Sequence, residues 1–132
     1  MKIKFTFFVA IVIVSVILSS CTNYGEEKNF NGVQLFYTST ITDTEANLLG
    51  NYLVESEFAD GEPKTVQLNK SGNTYEFRMV VKKGIEQDQE YTEIGKLMAA
   101  EISSEVFNGK RVDVHFCDEN LRTLRVMPMS TN

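Results

Sequence analysis

The chain of 132 residues has no tryptophan, only two prolines, two cysteines and a single histidine. With one histidine, sites built from several histidines cannot be assembled, and two cysteines cannot form a disulfide-rich scaffold. The phosphate-binding glycine loop and the H-E-x-x-H and G-x-S-x-G motifs are also absent from the sequence. We therefore predict no cofactor and no metal ion.

Acidic residues outnumber basic ones: the chain contains 13 lysines and arginines and 18 aspartates and glutamates, for a net charge of −5. The sequence contains neither a polybasic run nor a basic amphipathic helix. An acidic surface repels phosphate groups, so we predict no nucleic-acid partner and no attraction to anionic membrane surfaces.

The one long hydrophobic run, from Phe5 to Leu18, directly follows Lys2 and Lys4. A charged start followed by an apolar stretch is typical of a secretory signal. A helix of about 14 residues spans ~21 Å, less than the ~30 Å of a bilayer core, so a permanent transmembrane anchor is the weaker interpretation. We predict that residues 1–20 are a signal peptide; losing its two lysines and no acid would change the charge from −5 to −7.

Small residues stand immediately before a cysteine at the end of this run, in Leu18-Ser19-Ser20-Cys21. This pattern resembles the lipobox of bacterial lipoproteins, in which the thiol takes a diacylglyceryl group, the chain is cut before the cysteine and the new amine is acylated. The resemblance implies a bacterial envelope protein attached to the membrane through lipid on Cys21, since several acyl chains anchor stably. The residue after the cysteine is Thr22 and not the aspartate that retains lipoproteins in the inner membrane of enteric bacteria, which favours the outer membrane in a host that sorts in that way. The alternative is an ordinary signal with a chance cysteine.

Residues 21–32 are polar after the cysteine and show no periodicity, so we predict a tether that reaches at most ~40 Å. Residues 33–128 are predicted to form a single α+β domain. Its first strand is VQLFYT, and Thr42 with Glu45 forms a capping-box pattern that starts a helix. The element order β-αββ-αββ favours a five-stranded antiparallel sheet with both helices on one face.

The other face of the predicted sheet gathers several chemically distinctive side chains. The candidate partner-binding residues on this face are Phe36, Arg78, His115, Cys117 and Arg125. Arginine presents a rigid fork of donors, which suits a protein partner or a small anionic ligand. The two arginines occupy equivalent positions in the units 45–80 and 93–127, which indicates either a duplication or a chance similarity. Cross-strand pairing with Glu76 or Asp113 on a solvated face is the alternative to binding.

The stretch DVHFCD invites a metal-binding or catalytic interpretation, and strand geometry argues against both. Asp113, His115 and Cys117 alternate along one strand and would spread over ~13 Å, too far to share one ion. A carboxylate at Asp118 would raise the pKa of the thiol rather than activate it. We predict no catalytic residue here, and burial on a strand is the simpler role for the unpaired Cys117.

Two motifs resemble those of a family of small bacterial proteins that has no assigned chemistry. The motif T-x-x-E-A-x-x-L-G-x-Y-L runs from Thr42 to Leu53, and H-x-C-D-E-N runs from His115 to Asn120. The resemblance covers residues 33–127 and implies that the second motif matters for folding or for function. As a hairpin turn, it would use Asn120 at a positive φ.

The function predicted from the sequence is a lipid-anchored, non-enzymatic binding or accessory module. Two alternatives remain open at this point: a thiol-dependent enzyme that uses Cys117 and His115, and a purely structural envelope component. The oligomeric state is not predicted.

Overall fold

A computed structural model describes residues 23–130, so the predicted signal peptide and Cys21 lie outside the described part. The strands are β1 (Glu26–Phe30), β2 (Val33–Tyr37), β3 (Lys64–Ser71), β4 (Thr74–Val80), β5 (Val112–Cys117) and β6 (Thr123–Pro128). The helices are α1 (Asp43–Glu55), between β2 and β3, and α2 (Gln89–Glu105), between β4 and β5; a 3₁₀ turn at Ile85–Gln87 precedes α2. Within residues 23–130, neither helix is long and apolar enough to cross a membrane.

The six strands form one sheet in which their spatial order follows their order along the chain. The pairs β1–β2, β3–β4 and β5–β6 are antiparallel, and the pairs β2–β3 and β4–β5 are parallel. A parallel pair needs a long crossover connection, and each helix supplies one. The sheet is therefore mixed.

The predicted five-stranded antiparallel sheet is wrong, although the α+β class and the two helices are confirmed. The additional strand is β1, which lies within the segment predicted to be a tether. Its sequence EEKNF shows no apolar alternation, because β1 is an edge strand that is mostly exposed. Sequence alternation reports which face is buried, and it is silent on whether neighbouring strands run parallel or antiparallel.

Both helices pack on the same face of the sheet and enclose one hydrophobic core, whose largest fully buried side chain is Phe77. On that face, the Tyr75 hydroxyl donates to Glu45 of α1, while Gly95 of α2 packs against Met127 of β6. The predicted capping box is confirmed, since Thr42 and Glu45 exchange hydrogen bonds at the start of α1. Within residues 23–130, the opposite face carries no helix, as predicted.

The strand pairing defines two ends of the sheet. The proximal end holds residues 23–25 and the loops 38–42, 72–73 and 106–111. The distal end holds the loops 56–63, 81–88 and 118–122. A strand of six residues spans ~20 Å, which sets the separation of the two ends.

Candidate functional site

Arg78, the centre of the predicted binding face, lies on β4 and directs its guanidinium to internal partners. Its Nε donates to Gln67 Oε1 at 2.9 Å, and one terminal nitrogen donates to Thr123 Oγ1 at 2.8 Å. The other terminal nitrogen donates to the Leu121 carbonyl oxygen at 2.5 Å. Each of the three guanidinium nitrogens therefore already has a protein acceptor, and the side chain acts as a clamp between β3, β4 and the β5–β6 turn.

His115 is paired with Arg78 across the parallel strands β4 and β5, and it is buried. Its Nδ1 lies 3.1 Å from an Arg78 nitrogen and 3.0 Å from Thr123 Oγ1, while Nε2 lies 3.6 Å from Glu76 Oε2. Since arginine can only donate, Nδ1 acts as an acceptor, which requires the neutral ring with its proton on Nε2. Burial lowers the pKa of His115 despite Glu76, whose charge opposes the shift, and the Arg78 cation adds to the lowering.

Cys117 is fully buried, and its Sγ donates to the His115 carbonyl oxygen at 3.8 Å. Burial raises the pKa of the thiol, so the protonated form is favoured. Cys117 and Leu121 are both buried but do not belong to the main core between sheet and helices. They are covered from the open face, where the β5–β6 turn folds back over the sheet.

The β5–β6 turn contains the acidic part of the H-x-C-D-E-N motif, and Asp118 organises it. The Asp118 carboxylate accepts from the backbone N–H of Asn120 at 2.9 Å and of Arg122 at 3.0 Å. Its own N–H donates to the Arg122 carbonyl oxygen at 2.9 Å. The residue with positive φ is Leu121, at 57°, whereas the sequence predicted Asn120 for this role. The hydrogen bonds of Asp118 therefore give this part of the H-x-C-D-E-N motif a structural role, which is to hold the β5–β6 turn.

The structure separates the other two candidates from this cluster. Phe36 is half-buried on the open face and packs edge-on against Tyr24, with ring centroids 5.4 Å apart. Arg125 lies opposite Phe116 beside a β-bulge, and its guanidinium donates to the Glu86 carbonyl oxygen at 3.2 Å. Paired residues share a face, so Arg125 lies on the helix-bearing side with Phe116, and the prediction that it lies on the open face in a position equivalent to Arg78 is wrong.

Asp113 lies on the open face with His115, and its carboxylate is poorly satisfied by hydrogen bonds. One of its carboxylate oxygens is buried without a hydrogen-bond partner, although Arg111 Nε approaches it at 3.5 Å as an ion pair. Among residues 23–130, no group of three or more His, Cys, Asp or Glu side chains is placed to hold a metal ion.

A different surface, which we call the groove, lies on the helix side at the distal end. Its exposed apolar side chains are Tyr91, Ile94 and Leu97 of α2, with exposed fractions of 45%, 46% and 68%. Two adjoining cavities of about 340 and 400 Å³ flank these side chains, and both are lined by Phe58 and Met98. The groove is therefore a continuous apolar depression that the fold leaves uncovered.

The sequence carries a signal for this groove that resembles a core-facing stripe. Tyr91, Ile94, Met98 and Ile102 follow one another at spacings of three and four residues, the pattern of one helix face. In the structure Ile102 is buried, Met98 is half-buried and the two residues nearest the start of α2 are exposed. The stripe is longer than the surface of sheet available to cover it.

The groove is bordered by acidic side chains. Glu57 and Glu101 line one cavity, and Lys82 is the single basic residue that lines the other. The Glu101 carboxylate accepts from the Tyr52 hydroxyl, which links α1 to α2 beside the groove. Burial raises the pKa of Tyr52, and the hydrogen bond to Glu101 raises it further. The electrostatic character of this border favours a positively charged partner.

The fold and the two surfaces define a small α+β domain with a closed polar cluster on one face and an open apolar groove on the other. The chain belongs to the AF_1994_N family, described as a family N-terminal domain, whose model matches residues 28–127. This confirms the predicted membership of an uncharacterised family, which brings no activity with it. No curated protein matches the chain, and no solved structure matches it.

Proposed function

We propose that this protein is a lipid-anchored envelope protein that binds a partner polypeptide in the groove and performs no chemistry. The observation that carries the binding role is the exposed apolar surface of Tyr91, Ile94 and Leu97 beside two cavities. Monomeric proteins seldom leave contiguous apolar patches uncovered unless they mark an interaction site.

The anchor is supported by the sequence Leu18-Ser19-Ser20-Cys21 behind a signal-like apolar run. Lipid on Cys21 would attach the domain to the bacterial envelope, with Thr22 favouring the outer membrane. The described chain starts at Asn23, close behind that cysteine.

Binding is favoured over thiol chemistry by the environment of Cys117. An activated cysteine needs an accessible thiolate and a neighbouring base or cation that lowers its pKa. Here the thiol is fully buried, its pKa is raised by burial, and its hydrogen bond goes to a backbone oxygen. The contacts also give an anionic ligand on the open face little support, because the guanidinium nitrogens of Arg78 have internal acceptors.

The partner that fits the groove is an amphipathic helix with apolar side chains on one face and lysine or arginine beside them. Helices bind apolar grooves through side chains spaced three and four residues apart. The groove supplies the apolar floor at Phe58 and Met98, and Glu57 with Glu101 supplies the complementary charge.

A tryptophan-bearing peptide tests this proposal directly, since the protein has no tryptophan of its own. The protein would be produced as residues 22–132, which contain the whole described sheet and core. An amphipathic helical peptide with lysines on its polar face is titrated with this protein while tryptophan fluorescence is followed. We expect saturable binding that weakens at least ~10-fold in Ile94→Lys, because a charge replaces a central apolar contact.

Leu48→Lys is the matched control, because Leu48 is a half-exposed helical residue on α1, at 48% against 46% for Ile94, and it does not line the groove. This variant should bind like the unchanged protein, and a peptide with glutamates in place of lysines should bind more weakly. Equal binding by Ile94→Lys, or equal binding of both peptides, would overturn the assignment of the groove.

A further inference from the structure

Residues 23–25, which the sequence predicted to be part of a flexible tether, are attached to the sheet. The Tyr24 ring packs on Phe36, and the Tyr24 carbonyl oxygen accepts from Gln67 Nε2 at 2.8 Å. Gly25 adopts φ 103°, and a Cβ there would overlap the carbonyl of Tyr37. The chain is therefore held on the open face before β1 begins.

This attachment shortens the predicted tether. Only Thr22 separates Cys21 from Asn23, and two residues reach at most ~7 Å. Lipid on Cys21 would consequently bring the proximal end of the sheet against the headgroups. Without the contacts of Tyr24, eleven residues would allow the domain to rotate freely at distances of up to ~40 Å.

We infer that the proximal end is a membrane-facing surface and that the attached segment 23–25 orients the domain on the bilayer, with the groove pointing away from it. This inference rests on the proposed lipidation of Cys21. Since the groove lies on the helix side and opens toward the distal end at Phe58 and Tyr91, it would remain open to a partner on the aqueous side.

The distribution of charge agrees with this orientation. The acids of the distal loops are Glu57, Asp60, Glu62, Glu86, Asp88, Asp118 and Glu119, against the three bases Lys82, Lys83 and Arg122. The proximal segments 23–25, 38–42, 72–73 and 106–111 contain Lys110 and Arg111 and no acid, and the exposed acids directly beside them are Glu26 and Glu105. The nearest acid of α1, Asp43, is paired with Lys28 at 2.9 Å. Anionic headgroups would therefore repel the distal end more strongly than the proximal end.

Fluorescence quenching on vesicles tests the orientation. Lipidated protein carrying a fluorophore at Ser39→Cys or at Glu119→Cys, both exposed, is reconstituted into phosphatidylethanolamine–phosphatidylglycerol vesicles that contain nitroxide-headgroup lipid. The buried Cys117 would stay unlabelled in the folded protein. We expect strong quenching of the proximal probe at Ser39→Cys and little quenching of the distal probe at Glu119→Cys.

A variant that releases segment 23–25 from the sheet provides the second measurement. Tyr24→Ser combined with Gln67→Glu removes the ring contact and the hydrogen bond to the Tyr24 carbonyl while keeping an oxygen acceptor for Arg78, so the difference in quenching between the two probes should shrink at least twofold. Tyr91→Ser, which removes an exposed aromatic of the groove, should leave the difference unchanged. Equal quenching of both probes in the unchanged domain, or an unaltered difference after release, would overturn the inference.

Mass spectrometry of the N-terminal peptide separates this inference from the proposed function. An unlipidated Cys21 would refute the anchor itself and the orientation with it. Lipidated protein with equally quenched probes would refute only the orientation.

Discussion

At the scale of single residues, the contact between Arg78 and Leu121 sets a strained backbone conformation against a charged hydrogen bond. A leucine at φ 57° costs about 1–2 kcal/mol, because its Cβ approaches the following carbonyl. The hydrogen bond from the Arg78 cation to the Leu121 carbonyl oxygen can contribute about 1.5–3 kcal/mol and offsets this strain. The closed turn then shields Cys117 from solvent.

Replacing Arg78 should expose the thiol. In Arg78→Met the turn loses its clamp, and we expect Cys117 to react with a soluble thiol reagent at least ~10-fold faster, since labelling follows the population of open molecules. The rate is measured under native conditions with Cys21 replaced by serine. Arg125→Met is the matched control, because the Arg125 guanidinium donates to the Glu86 carbonyl oxygen and not to the β5–β6 turn, and its labelling rate should not change. Immediate labelling of the unmodified protein would contradict the buried thiol and favour the thiol-dependent enzyme.

His115 should make stability depend on pH in a defined window. Its pKa is lowered in the folded protein, mainly by burial, so the unfolded chain binds a proton at a higher pH than the folded protein does. The neutral ring thus stabilises the fold fully above the unfolded pKa of ~6.5, and this contribution is lost as the pH falls through 6.5 toward the folded value. We expect the free energy of unfolding, measured with urea, to decrease over that range.

The variant His115→Asn tests this assignment, because its amide oxygen can still accept from Arg78 or Thr123 but does not titrate. Its overall stability should be lower, while the decrease near pH 6.5 should disappear. An unchanged pH dependence would show that another group is responsible.

At the scale of elements, the contact of β1 with α1 depends on a helical glycine. The Phe30 ring lies against Gly50, where a Cβ would overlap the ring itself. Gly95 of α2 has a looser environment, since a Cβ would meet the terminal methyl of Met127 at 2.8 Å, the Met127 Cγ at 3.4 Å and a carbon of Phe116 at 3.5 Å. The two glycines therefore allow the helices to approach the sheet to different degrees.

Alanine at these two positions should have different effects on stability. A helical glycine-to-alanine change gains about 1 kcal/mol in propensity, whereas overpacking costs about 1–3 kcal/mol. We expect Gly50→Ala to destabilise the protein by about 1–2 kcal/mol and Gly95→Ala to be closer to neutral, because a methionine tip moves more easily than a ring. Chemical denaturation measures both. Phe30→Leu should remove most of the cost of Gly50→Ala; an additive double variant would contradict this explanation.

Element prediction from the sequence succeeded where signals are local. The capping box of Thr42 and Glu45 and the alternation in β2 to β5 depend on residues close together in the chain. β1 was missed because an exposed edge strand needs no apolar alternation, and its pairing with β2 is a tertiary contact. The parallel pairing of β2 with β3 was missed because both orientations bury the same alternate side chains.

At the scale of the whole molecule, the net charge conceals an uneven distribution of acidic side chains between the two ends of the sheet. The value of −5 predicts repulsion from anionic surfaces, yet the acids of the connecting loops concentrate at the distal end. The proximal loops contain no acid, and the chain enters there at Asn23. A lipid anchor and a partner in the groove would thus use opposite ends of one rigid sheet.

The sequence alone determined the α+β class, the two amphipathic helices, most strands and the expectation of a lipid anchor, because each depends on neighbouring residues. Only the tertiary structure decided the roles of the candidate residues, since Arg78 meets Leu121 and His115 through contacts distant in sequence. The same holds for the groove, whose apolar stripe on α2 looks identical to core in the sequence but is partly exposed in the structure, where β4 ends at Val80.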